Sequence, residues 1–321
     1  MKATEYTYAV ACIRSNEVRL LTSQELNGIL GATTFEEAAR RLNDRGYEIA
    51  GRDYAPALEK KLEGAWQLVS SLLPDRSQFD SILIENDFQN LKAALKAFHC
   101  GNDSGALVFS PSVWDPAMIA DAVVKNDNDK LPEPLRHAHR SAYRILTQTR
   151  FAQLADSVVD RAAMEWSIKL AENADHPVME EIARTRAACA DIKILYRCVK
   201  TGKAKSFVER CVCDCGAFDK AEAVRAAGEG MESLFAFLSH TDYAGAAEAL
   251  KVSPAAFEKW CDDRLLTLLR GAKTDIDGIA PLAAYWFAVQ NEVRNVRIIL
   301  SAKCNGMPDE TVRGRVRELY V

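Results

Sequence analysis

Few residues in this chain have the type and spacing that chemistry requires. Cys211, Cys213 and Cys215, in the run CVCDC, are the densest group of soft metal ligands. Zinc-binding thiolates usually come as C-x-x-C with a second pair of ligands elsewhere, and C-x-C-x-C matches neither requirement. The run therefore reads as buried or loop thiols. His137 and His139 form H-A-H with no third ligand in view and read as an exposed pair on a helix. KTGKAKS at 200–206 lacks the first glycine of a phosphate-binding loop and has Ala204 where a hydroxyl would hold magnesium. Glu36-Glu37, Glu180-Glu181 and Asp262-Asp263 are adjacent in sequence, so on a helix their side chains diverge by about 100° and cannot share one proton. These pairs read as solvated faces. The expectation is a chain with no catalytic residue, no cofactor, no metal site and no nucleotide site.

The elements that would position any site are helices. Apolar residues recur every three or four positions in 35–47, 56–73, 151–173 and 254–272, and alternation of the strand kind is hard to find. The fold class expected is all-α. Ser23, Ser112 and Ser253 stand where helix starts are expected, the last followed by Pro254 at a first-turn position. Trp66, Trp166, Trp260 and Trp286 fall inside amphipathic helices and read as core residues. A net charge of −4 argues against a sequence-independent nucleic-acid binder, which needs clustered cations to neutralise phosphates. The beginning of the chain is too charged for a signal peptide, and the apolar run 278–291 is too short to span a bilayer. Nine cysteines without a secretory signal read as reduced thiols in a cytoplasmic protein.

One helical pattern recurs. Asp87 precedes Phe88, Leu91, Leu95 and Phe98; Asp191 precedes Ile192, Leu195 and Val199; Glu292 precedes Val293, Val296 and Leu300. Each apolar set lies on one helix face, and the acids are spaced by roughly a third of the chain, which implies three similar modules. Glu5 heads a partial fourth copy, so the chain begins and ends within a module. A turn and a new helix follow each copy, and two modules continue with a leucine and a tyrosine five residues later, Leu42 with Tyr47 and Leu238 with Tyr243. Around Glu292 the helix is densely polar: Asn291 and Asn295 stack, as do Arg294 and Arg297. Such residues either fix how modules pack or line a surface that grips a partner, and packing is the favoured role.

The runs 281–321, 20–47 and 85–97 closely resemble the C subunits of bacterial and archaeal V-type ATPases, relatives of the eukaryotic d subunit, with Asn291 to Asn295 and the closing RELYV as the most specific marks. The resemblance spans nearly the full chain. It implies a funnel of three similar helical bundles about a pseudo-threefold axis, expected here as modules 1–109, 110–214 and 215–321. It also implies a non-catalytic rotor component on the cytoplasmic face of the membrane, which receives the D and F shaft proteins of the central stalk and sits on the ring of ion-carrying proteolipids. Glu292, Arg294, Asn295 and Arg297, with Gln89, Lys92 and Lys193 as counterparts, are the residues expected to bind the shaft or pack the modules. Ile194, where the other copies have Asn90 and Asn295, is a visible departure from threefold equivalence. A helical-repeat scaffold unrelated to the rotor is the alternative, but repeats of solenoid length are not found.

Overall fold

The computed structural model describes residues 3–100, 107–174 and 176–321, with side chains from Tyr6 onward. Every regular element among them is helical. In chain order the α-helices are α1 (Ala3–Glu17), α2 (Ser23–Leu30), α3 (Phe35–Asn43), α4 (Ala55–Leu72), α5 (Asp80–Cys100), α6 (Pro116–Val124), α7 (Glu133–Thr149) and α8 (Ala152–Glu172). They continue as α9 (Pro177–Lys200), α10 (Lys205–Cys211), α11 (Lys220–Glu229), α12 (Met231–Ser239), α13 (Ala244–Val252), α14 (Pro254–Arg270), α15 (Ala280–Cys304) and α16 (Asp309–Arg313). No described helix is long and apolar enough to cross a membrane.

The helix starts follow capping chemistry, with two of the expected caps displaced. Thr22, not Ser23, caps α2, because Thr22 and Glu25 satisfy each other's backbone N–H groups in a capping box. Asp115, not Ser112, caps α6, since the Ser112 hydroxyl donates instead to the Trp114 carbonyl. Ser253 caps α14 as expected, accepting from the Ala256 N–H at 3.0 Å. Each such cap contributes about 1 kcal/mol. His139 departs from its expected exposure. It is fully buried, with Nδ1 2.7 Å from Asn128 Oδ1, and burial lowers its pKa, so a neutral ring suits the site.

The chain forms two compact units. The first comprises residues up to Arg76 together with Glu248–Val321, and the second is Ser77–Ala247. In the first, α15 is the central helix, buried without a break from Ala280 to Val289 and packed against α4, α14, α1 and α3. A helix apolar all round is stable only when enclosed by others, which is the situation here. Trp286 meets Trp66 of α4 edge to face, with ring centroids 5.6 Å apart. In the second unit α5 and α8 pack along each other and carry a core that includes Phe88, Leu91, Leu135 and Val159. Two polar ties fix the neighbours of α5: the Ser167 hydroxyl donates to the Ser81 carbonyl at 2.6 Å, and Arg186 of α9 pairs with Glu85 at 2.6 Å.

Candidate functional site

Asp87, Asp191 and Glu292 are buried, and each grips the backbone of a connecting segment. Asp87 lies on α5, with Asn86 before it and Asn90 a turn on. The Asp87 carboxylate accepts the Val113 N–H at 2.9 Å and the Trp114 N–H at 3.0 Å, just ahead of the capped start of α6. Asn90 makes a two-point clamp on a single residue, donating to the Phe109 carbonyl at 3.0 Å and accepting the Phe109 N–H at 2.8 Å. Asn86 adds a bond to the Pro111 carbonyl at 2.7 Å.

The same device recurs on α15 with the same residue spacing. Asn295 clamps Arg317, donating to its carbonyl at 3.0 Å and accepting its N–H at 2.9 Å, while Asn291 donates to the Glu318 carbonyl. Glu292 turns to the beginning of the chain. It accepts the Leu21 N–H at 2.6 Å and the Tyr47 hydroxyl at 2.6 Å, with Lys61 Nζ at 3.4 Å. Both halves of the first unit are thus joined at one carboxylate, and Leu21, like Trp114, immediately precedes a helix cap. Burial, and then the charge of Glu292, drives the Tyr47 phenol pKa upward, so that hydroxyl stays a donor.

On α9 the pattern thins. Asp191 accepts the Cys213 N–H at 3.0 Å and faces the Cys213 thiol at 3.2 Å, but Ala190 and Ile194 occupy the positions of the two asparagines. Cys211, Cys213 and Cys215 are all buried, and of the three it is the Cys213 thiol that meets Asp191. Burial raises the Asp87 carboxyl to about 6 and that of Asp191 to about 7, in each case against the pull of the backbone N–H groups it accepts. The side chain of Glu5 lies outside the described residues.

The other residues singled out by sequence scatter around these grips. Gln89 and Lys92 both reach Asp160 of α8, at 3.5 and 2.7 Å, inside the second unit. Arg294 is half exposed and pairs at 2.6 Å with Asp262, which also receives Arg317 Nε at 2.8 Å. Asp263 accepts the Glu318 N–H at 2.8 Å. Asp262 and Asp263 therefore act on the terminal segment and are not simply a solvated face, because their divergence lets one meet side chains and the other a backbone N–H. Arg297 is exposed with no ion-pair partner among the described residues, and Lys193 is exposed on α9. Sequence reasoning misses Asn86 and Lys61, and it reads Tyr47 only as half of a repeated pair. The N-acid-x-x-N spelling at 86–90 and 291–295 is a signal for Asn86, whereas nothing in sequence points to Lys61. Among the described residues no group of His, Cys, Asp and Glu has the arrangement to hold a metal ion.

Taken together, the described residues define an all-helical fold whose buried polar side chains hold its own connections in place. Residues 9–315 match the ATP synthase (C/AC39) subunit family, and the chain belongs to that family. It is similar to the C subunit of the V-type sodium ATPase of Enterococcus hirae, at 21% identity over 98% of this chain and 99% of that protein. It is also similar to the C subunit of the A-type ATP synthase of Desulfurococcus sp. (strain SY), at 32% identity over 30% of this chain and 29% of that protein, and to that of Thermococcus gammatolerans, at 25% identity over 65% and 61%.

Proposed function

We propose that this chain is a non-catalytic rotor component of a V-type ATPase or ATP synthase, coupling the central shaft, built from the D and F proteins, to the membrane ring of proteolipids. The observation that carries the reading is the match to the C/AC39 family over residues 9–315. The helix-anchored grips add a physical rationale, because a part that transmits torque must not yield between its helices. In this reading the three acid-headed helices belong to three modules about a pseudo-threefold axis, at 1–109, 110–214 and 215–321, the last completed by the start of the chain. The bond from Glu292 to Leu21 supports that completion. The protein then sits peripherally on the cytoplasmic face of the membrane, with ion movement and ATP chemistry left to the other components of the complex.

Affinity purification of the tagged chain from its host's membranes in mild detergent, with native mass spectrometry, tests this. Recovery of a shaft pair and an oligomeric membrane ring, released together, is expected. Recovery of the chain alone, or with soluble partners only, would overturn the coupler reading in favour of a scaffold outside the ATPase.

Arg294 and Arg297 are the exposed cations beside the Glu292 grip, and we assign them to shaft contact. Reversing both to glutamate is expected to weaken shaft binding roughly tenfold, as loss of charge complementarity at an interface does. Stability should change by no more than about 1 kcal/mol, because the Arg294–Asp262 pair is at the surface. Titration of the purified D and F pair, alongside thermal unfolding, separates the two effects; unchanged affinity would remove both residues from the interface.

A further inference from the structure

The three grips are unequal in a way that points to motion. The segments at 109–114 and 317–318 are each held by an acid-bearing helix through asparagine clamps on backbone amides. Of the acid-bearing helix α9, only Asp191 grips the middle segment, and it does so at a single residue, Cys213; the rest of the hold is the burial of Val212, Cys213 and Cys215. It ends at Gly216, whose φ of 66° suits glycine and whose missing Cβ leaves room for the Arg184 guanidinium. At the positions of the two asparagines stand Ala190 and Ile194, whose side chains offer the segment no hydrogen bond.

The charge environment of Asp191 also differs from that of Glu292. The groups that act on it are Cys213 and Cys215 of the segment, Glu165 on α8 and Lys220 at the start of α11. Lys220 is the one cation of the four, and it makes no ion pair with Asp191 among the described residues. Glu292, by contrast, has Lys61 beside it. A buried carboxylate without an ion-pair partner is costly in its charged form and comfortable in its neutral one. A neutral carboxyl can still accept the Cys213 N–H while its own O–H turns to the Cys213 sulfur.

We infer that the segment Val212–Gly216 is a releasable latch, closed while Asp191 is neutral and freed when Asp191 ionises into water. The inference stands independently of the rotor reading, because it rests only on how this segment is held. Its sign follows from linkage. In the closed state the carboxyl titrates at about 7, and in the open, hydrated state it has an ordinary carboxylate value. Between those values each rise of one pH unit favours the open state about tenfold, and above the closed-state value the effect levels off. Raising pH thus opens the latch, and lowering it closes the latch.

Hydrogen exchange of the full chain, read by mass spectrometry on peptides covering 211–217 and 314–321 and corrected for intrinsic rates, tests this from pH 5 to 8.5. In the wild type, opening of 211–217 relative to 314–321 is expected to rise on the order of fifty-fold between pH 5 and 7 and to flatten above that. Asp191→Asn keeps an acceptor for the Cys213 N–H without a titrating charge, and its profile is expected to be flat. A wild-type ratio independent of pH would overturn the latch, and so would an Asp191→Asn profile with the same slope as the wild type. If Asp191→Asn does not fold, the wild-type ratio between the two segments decides the matter by itself. Alkylation of Cys213 by iodoacetamide gives a second readout: normalised to a model thiol at each pH, its rate is expected to rise with the opening of 211–217. A rate that stays constant across this range would count against release.

Discussion

Replacing Glu292 with alanine is expected to lower the stability of the chain by about 3–5 kcal/mol, measured by urea denaturation of the full-length protein. Three donors converge on this carboxylate: the Leu21 N–H, the Tyr47 hydroxyl and, more loosely, the Lys61 ammonium. The side chain is 1% exposed, so water cannot readily replace it. Removing it strands a backbone donor and a hydroxyl in a low-dielectric interior, and a stranded buried donor costs more than its hydrogen bond contributed. It also disconnects the beginning of the chain from the central helix of its unit. Glu292→Gln is expected to recover part of the loss, since its amide oxygen serves one donor while its NH2 faces another. A loss below about 1 kcal/mol for the alanine variant would mean that the 18–22 loop is held mainly by its apolar contacts, Leu20 and Leu21 being buried.

Asn295→Ala is expected to cost about 2–4 kcal/mol, and the comparison with Asn295→Asp identifies the cause. Asparagine is the right residue because one side chain both donates and accepts, matching the paired N–H and C=O of Arg317. Alanine abandons both groups. Aspartate still accepts the Arg317 N–H but sets a carboxylate oxygen against the Arg317 carbonyl, so it should be no better than alanine. Leu319 and Tyr320 beyond the clamp are buried, and Arg270 donates to the Leu319 carbonyl, so loosening of Arg317 extends to a packed end of the chain. Equal stability of Asn295→Asp and the wild type, measured in the same denaturant series, would show that only the N–H half of the clamp matters. Asn90→Ala at Phe109 is the natural companion measurement, because the same two bonds recur there.

Much of this protein can be read from its residues in order. Three- and four-residue apolar spacing is a local property, so the helices and the all-α class follow from sequence without knowledge of any neighbour. The recurrence of an acid ahead of the same apolar stripe is likewise written in the chain, as is the absence of asparagine at 190 and 194. A helix of 3.6 residues per turn then places Asn86, Asp87 and Asn90 close together on one side of α5. Their partners are another matter. Asp87, Asn90 and Asn295 bind backbone N–H and C=O groups, which every residue carries and which leave no trace in composition or spacing. Glu292 reaches Leu21 from the far end of the chain. Asp262 and Asp263, which read as a solvated face, meet Arg294, Arg317 and the Glu318 N–H only because the terminal segment folds back beside α14. His139 is a core residue for the same reason, since burial depends on which elements cover a face. Local periodicity determines which side chains stand together, whereas the backbone groups they hold are brought to them by the tertiary fold alone.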